Sequence, residues 1–204
     1  MLTELFFPFL VTTILIELTP GPNMAWLALT SATYGKRAGF AAVAGISAGL
    51  AVLSAASAAG LAELAARSPI AFGLLRYAGV AYLLWLALET WRGVRERAPN
   101  GAGDMAASAW FRHGLLLNLL NPKAAVFFVT VLPAYILTSA PVASQTALLS
   151  ASYVAIATAV HVAIVMLAAQ AHGWIQSGGR VHIVQRVFAV LLAAVALWFF
   201  VTTG

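Results

Sequence analysis

Residues 17–26 read ELTPGPNMAW, and they place a carboxylate, two prolines and a glycine inside the first apolar stretch of the chain. LFFPFLVTTILI runs into this segment and LALTSA runs out of it, so the interruption falls near the middle of a run long enough to cross a bilayer. Proline has no backbone N–H, and its ring collides with the carbonyl four residues earlier. Pro20 should therefore free the carbonyl of Ile16, and Pro22 that of Leu18. Gly21, between them, removes side-chain bulk and lets the backbone turn sharply. Beyond the break a new half-helix starts, with unpaired N–H groups and partial positive charge at its end. Such an end suits an anion, while the freed carbonyls suit an ammonium group.

Composition puts that break in a membrane. The 204 residues are 62% hydrophobic and 8% charged, with a mean hydropathy of +0.94, whereas soluble domains carry roughly a quarter charged residues. Apolar stretches near or above the length of a membrane span recur, without the period-2 alternation of barrel strands. An all-α integral membrane protein follows. Cysteine is absent, which excludes disulfide and thiolate chemistry. The net charge of +5 belongs to loops flanking the spans and not to a nucleic-acid surface. No signal peptide is expected at MLTELFFP, which lacks a basic n-region.

Six spans are expected near 5–33, 39–62, 70–91, 111–136, 145–170 and 183–203. Connections are expected at YGKRAG (34–39), AARSP (65–69), WRGVRERAPNGAGD (91–104), TSAP (138–141) and HGWIQSGGR (172–180). Lys36, Arg37, Arg92, Arg95, Arg97, Arg112, Arg180 and Arg186 flank the odd-to-even connections, against Arg67 and Arg76 on the other side. The positive-inside rule then puts both termini in the periplasm and the third connection in the cytoplasm.

The fourth span carries a second interruption, NLLNPKAAVFF (118–128), where Pro122 should free the carbonyl of Asn118. Each break opens a set of three spans, and an odd number of spans per set forces the sets into opposite orientations. The expected architecture is two inverted three-helix repeats, residues 1–92 and 111–204, joined by a cytoplasmic loop at 93–110, with helices 1 and 4 broken at proline. Paired interruptions of this kind are the best sequence pointer to a transporter's binding site. A zwitterion with a carboxylate and an amine is the ligand such a site would suit. The candidate binding residues are Pro20, Gly21, Pro22, Asn23, Asn118, Asn121, Pro122 and Lys123.

Glu17 lies one turn before Pro20, at a depth where an ionised side chain costs at least ~2.5 kcal/mol. It reads as a proton carrier or amine ligand, or as the structural partner of Lys123. His161, in TAVHVAIVM, is the histidine well inside a span, and it reads as a proton shuttle or as a hydrogen-bonded packing residue. No spacing of histidines or carboxylates suggests a metal site, and no cofactor or intramembrane enzyme constellation is visible. Gly45 and Gly49 read as a close helix contact. Trp91, Trp110, Trp174 and Trp198 read as interfacial aromatics, and Trp26 as core or pocket lining.

These motifs resemble the LysE/RhtB family of amino-acid exporters almost from end to end. LTPGPN (18–23), GKRAGFAAVAGISAG (35–49), RYAGVAYLLWLALETWR (76–92) and FRHGLLLNLLNPKAAVFFVTVLP (111–133) are similar to the family's first four helices. The resemblance implies efflux of small amino acids or their derivatives, driven by protons, from the cytoplasm through a bacterial inner membrane. It points at Pro20, Gly21, Pro22, Asn23, Asn121, Pro122 and Lys123. Many members carry Asp or His where this chain has Leu50, and neither Glu17 nor His161 belongs to the family signature. The expected partners are a small amino acid, protons and the lipid bilayer, and a homodimer is compatible with the sequence. The alternative is a passive channel or another membrane transporter of small zwitterions.

Overall fold

The computed structural model describes residues 2–59, 69–96, 106–137, 139, 141–177 and 181–202. Among these all regular structure is helical, in the order α1 (Leu2–Leu18), α2 (Pro22–Ala58), α3 (Pro69–Glu96), α4 (Ala107–Leu119) and α5 (Pro122–Val126). A π-helical segment (Phe127–Val131) and a 3-10 segment (Leu132–Tyr135) extend α5. α6 (Val142–Ala168) passes through a short 3-10 turn into α7 (His172–Ser177), and α8 is Val181–Thr202. Pro22–Ala58 and Val142–Ile175 are long and apolar enough to cross a membrane, as is the bent pair Ala107–Leu119 and Lys123–Tyr135. This is an all-helical membrane protein.

Both proline interruptions break their helices. α1 stops at Leu18 and α2 starts at Pro22, with Gly21 as an extended N-cap (φ −150°, ψ 174°). Proline at the first helical position forfeits no hydrogen bond, because that N–H would have no intrahelical partner. α4 stops at Leu119 and Pro122 opens α5, the two axes meeting at 52°.

The expected turn at 34–39 lies inside α2, at a single residue. Gly35 has φ 82° and ψ 179°, a conformation that glycine adopts without steric penalty. Residues 22–34 and 36–58 fold back on each other there. Gly39 packs so close to Ser31 that a Cβ at 39 would strike its Oγ, whereas residues eight apart on a straight helix are separated by about 12 Å. His172 closes the turn: its Nδ1 lies 3.2 Å from the Ala32 carbonyl, and its ring sits against Gly35.

Lipid removes the hydrophobic drive for helix association, so close packing and hydrogen bonds must hold the bundle. Gly45 of α2 lies on the backbone of α4, where a Cβ would meet the Phe111 carbonyl. Gly114 of α4 lies reciprocally on the Ala42 carbonyl, so the glycines expected to mark a close contact do so. The Ser47 and Thr158 hydroxyls share a 2.8 Å hydrogen bond between α2 and α6. α3 and α8 pack on one another and on this centre, around Leu83, Leu86, Phe188 and Leu192. Their outer faces carry exposed Leu74, Val190 and Leu197, as lipid contact requires.

Some expectations are corrected. Trp110 is not interfacial: it is 8% exposed, with its ring 4.7 Å from Tyr34 and 6.4 Å from Trp26. Trp26 itself is core. Trp91 and Trp174 are exposed, as expected of interfacial aromatics. α3 continues through Arg92 and Arg95 to Glu96, because good helix formers keep a helix going after it leaves the apolar layer. Likewise 172–177, expected to be loop, are helical. The connection at 65–69 with Arg67, the stretch 97–105 with Arg97, Arg180, and the side chains of Arg76, Pro122 and Trp198 lie outside the described residues.

Glycine substitutions should separate contact from propensity. Gly45→Ala forces α2 and α4 apart and is expected to destabilise by about 1–3 kcal/mol. Gly73, in α3, has nothing within 4 Å of an added Cβ, so Gly73→Ala should be neutral or stabilise by up to about 1 kcal/mol. Thermal unfolding of both variants in detergent checks the contrast in sign.

Candidate functional site

The two breaks meet around one narrow cavity of about 290 Å³, its open mouth included. Glu17, Gly21, Asn23, Asn118, Asn121 and Lys123 line it from the breaks, and Tyr153 and His161 line it from α6. Met24, Leu50 and Ala124 supply its apolar wall. All the sequence-derived candidates except Pro20, Pro22 and Pro122, the last with its side chain outside the described residues, are therefore brought together. Pro20 is exposed and Pro22 is buried in the backbone of the break; these two shape the cavity without lining it.

Side chains tie the breaks together. Asn23 Nδ2 donates to Asn118 Oδ1 at 2.9 Å, and both residues are buried. Asn118 reaches this position because Gly49 lies beneath it: a Cβ at 49 would stand 2.9 Å from both Asn118 Cβ and Nδ2. Asn121 caps the second half-helix, its Oδ1 accepting from the Lys123 backbone N–H at 3.0 Å. The Lys123 ammonium crosses to the first break and donates to the Thr19 carbonyl at 2.8 Å. Its aliphatic stem fits because Gly21 has no side chain, with Cδ 3.3 Å from the place a Cβ would take.

This arrangement corrects the expectation about freed carbonyls. The Ile16 carbonyl is taken by the Thr19 N–H at 3.1 Å, and the Asn118 carbonyl by the Asn121 N–H at 3.0 Å. A tightened last turn satisfies these two of the acceptors that proline strands. The carbonyl that meets a cation is Thr19's, and the cation is Lys123.

Glu17 is 4% exposed and is hydrogen-bonded by the Tyr153 hydroxyl, with the Lys123 charge nearby. Tyr153 is locked by aromatic contacts: its ring stacks on Phe127 at 3.6 Å and meets Phe128 edge-on at 5.4 Å. Phe9 touches Phe127 and Tyr135, and Thr12 shares a 2.7 Å hydrogen bond with the Tyr135 hydroxyl. These residues seal the end of the cavity toward the start of α1. Sequence reasoning missed Tyr153. The available signal was helical spacing: 146, 150, 153, 157 and 161 fall on one face of α6, and all five are buried.

Several buried polar atoms here have no partner, namely Asn23 Oδ1, Asn118 Nδ2 and His161 Nδ1. Among the described residues no group of histidines and carboxylates could hold a metal ion.

Broken helices meeting at a buried, charged and partly unmatched cavity define a helical membrane transporter. Residues 14–203 match the family model described as LysE type translocator, and the chain belongs to that family. It is 30% identical to the homoserine/homoserine lactone efflux protein of Salmonella typhi, over 94% of each chain. It is 37% identical to the leucine efflux protein of Klebsiella pneumoniae, over 60% of this chain and 58% of that protein. The leucine efflux protein of Enterobacter sp. is 34% identical, over 66% of this chain and 65% of its own length. No solved structure matches the chain.

The asparagine contact can be measured directly. A double-mutant cycle of Asn23→Ala and Asn118→Ala on thermal stability should give a coupling of about 1 kcal/mol. Additive losses would mean that the two amides do not bond.

Proposed function

We propose that this protein exports small neutral amino acids from the bacterial cytoplasm through the inner membrane, by proton antiport with alternating access. The asparagine pair carries the reading. A carboxamide offers both donors and acceptors. One bond between two of them therefore leaves a spare donor and a spare acceptor on residues that line the cavity, whichever way round the amides sit. Here these are Asn118 Nδ2 and Asn23 Oδ1, both buried. Each unmatched atom costs roughly 1–3 kcal/mol, and a zwitterion matches both. Its carboxylate meets Asn118 Nδ2 and the Lys123 ammonium; its ammonium meets Asn23 Oδ1 and Glu17. Met24, Leu50 and Ala124 then face the substrate side chain, where a charge would find no partner. The efflux proteins of similar sequence are named for leucine and homoserine, both with uncharged side chains.

Alternating access is supported by the narrowness of the cavity and by the closure at one end. The enclosed space admits little more than a water molecule, so an amino acid enters only when the helices part. On this reading residues 1–92 and 111–204 are inverted three-helix units that rock about the breaks. The packing of α3 on α8, the third helix of each unit, is the contact such a pair would make. Lys36, Arg37, Arg92 and Arg112 then mark the cytoplasmic side. Glu17 and His161, both facing the cavity, are the groups that exchange protons.

Counterflow in proteoliposomes tests the proposal, with labelled leucine, homoserine and lysine as probes. Leucine or homoserine should exchange and lysine should not. A proton gradient should accelerate net movement. Asn118→Ala and Lys123→Ala should each slow exchange about tenfold or more, the equivalent of 1.4 kcal/mol. Transport that ignores the proton gradient would indicate a passive pathway, and unaffected variants would remove the site.

A further inference from the structure

We propose that Thr13 and Ser150 hold a water between α1 and α6, giving protons a path to Glu17 from the side of the membrane where these helices begin. The inference deepens the antiport reading and rests on it.

Both hydroxyls are sealed from solvent, at 0% and 1% exposure, and neither has a hydrogen-bond partner. Helical Ser and Thr ordinarily bond the carbonyl four residues back. Ser31, Thr90, Thr130, Thr146 and Ser152 all do so in this chain. Thr13 and Ser150 depart from that habit, and they do so beside a buried carboxylate.

Their positions follow from helix register. Thr13 lies one turn before Glu17, and Ser150 one turn before Tyr153, and Tyr153 bonds Glu17. The two helices also share an end. Thr12 bonds Tyr135, and Gln145 at the start of α6 bonds the backbone N–H and carbonyl of Leu137, two residues further on. α1 and α6 therefore run in the same direction, and helix register one turn back from the Glu17–Tyr153 contact brings Thr13 to the level of Ser150. A buried water needs two to four polar partners. Two hydroxyls, each able to donate and accept, provide them. Thr146 and Gln145, also buried, continue the polar strip along α6 toward its start.

A proton arriving along this strip bonds to the water as another leaves it for the Glu17 carboxylate, so only O–H bonds form and break. Among the described residues, the other titratable groups near Glu17 are Lys123 from α5 and Tyr153 and His161 from α6, with Tyr135 further out on the 3-10 segment. Thr13 and Ser150 do not touch the cavity in which the substrate is proposed to bind.

The test compares two modes of transport of labelled leucine and homoserine in proteoliposomes. Thr13→Val keeps the side-chain shape and Ser150→Ala leaves a small gap; each removes one hydroxyl. Net transport driven by a pH gradient should fall about tenfold in each variant and further in the double variant, with Thr13→Ser restoring it. Counterflow at equal pH should stay within about twofold of the parent protein, which also shows that the variants fold. Equal losses in both modes would assign these residues to packing and overturn the proposal. Intact gradient-driven transport in the double variant would overturn it alone, leaving the antiport reading in place. A parent protein indifferent to the gradient would overturn both.

Discussion

Backbone polar groups at membrane depth have no water to turn to, so a broken helix there survives only if the protein supplies every missing partner. The bond from Lys123 to the Thr19 carbonyl is the answer to that constraint. It satisfies the end of one fractured helix with a cation rooted in the start of the other. Asn121 caps the second fracture, and the tightened turns at Thr19 and Asn121 absorb the carbonyls of Ile16 and Asn118. Several buried side-chain atoms stay unmatched, among them the outer atoms of the asparagine pair, a histidine nitrogen and the hydroxyls of Thr13 and Ser150. A polar atom without a partner is tolerated where a ligand or a water supplies one part of the time. On the proposed reading, structural demand and transport chemistry fall on the same few residues.

The close helix contacts serve the same end. Gly45 and Gly114 bring the backbones of α2 and α4 together, and one turn further along Gly49 makes room for Asn118. Because Asn118 leans on a surface without a side chain, its amide is held by geometry and can be released by a small separation of α2 from α4. Helix spacing and the shape of the cavity are thus one variable. Any motion that opens the bundle along this seam also loosens the grip on whatever the amides hold.

Much of this was legible in the sequence because proline and glycine act locally. PGP at 20–22 and NP at 121–122 break helices wherever they stand, and both breaks fall at the expected residues. Glu17, Asn23, Asn118, Asn121, Lys123 and His161 were legible because a polar group within an apolar run must face protein or water. The misreadings were tertiary. Trp110 looked interfacial because its position near a span end says nothing of Trp26 and Tyr34, which cover it. Tyr153 was overlooked because tyrosine in a membrane helix is unremarkable until a buried carboxylate lies within reach of its hydroxyl. Which carbonyls remain free depends on how the last turn tightens, and the positions of the prolines do not encode that.

The π-helical turn at Phe127–Val131 has a consequence for what the chain can tolerate. Such a turn holds one residue more than an α-helix would over the same rise. A one-residue deletion within the turn would therefore let it close as ordinary α-helix and leave Tyr135 near Thr12, whereas a deletion in the α-helix before it would rotate everything downstream by about 100°. The chain can thus lose a residue where the surplus lies, while the α-helical turns on the N-terminal side of it cannot.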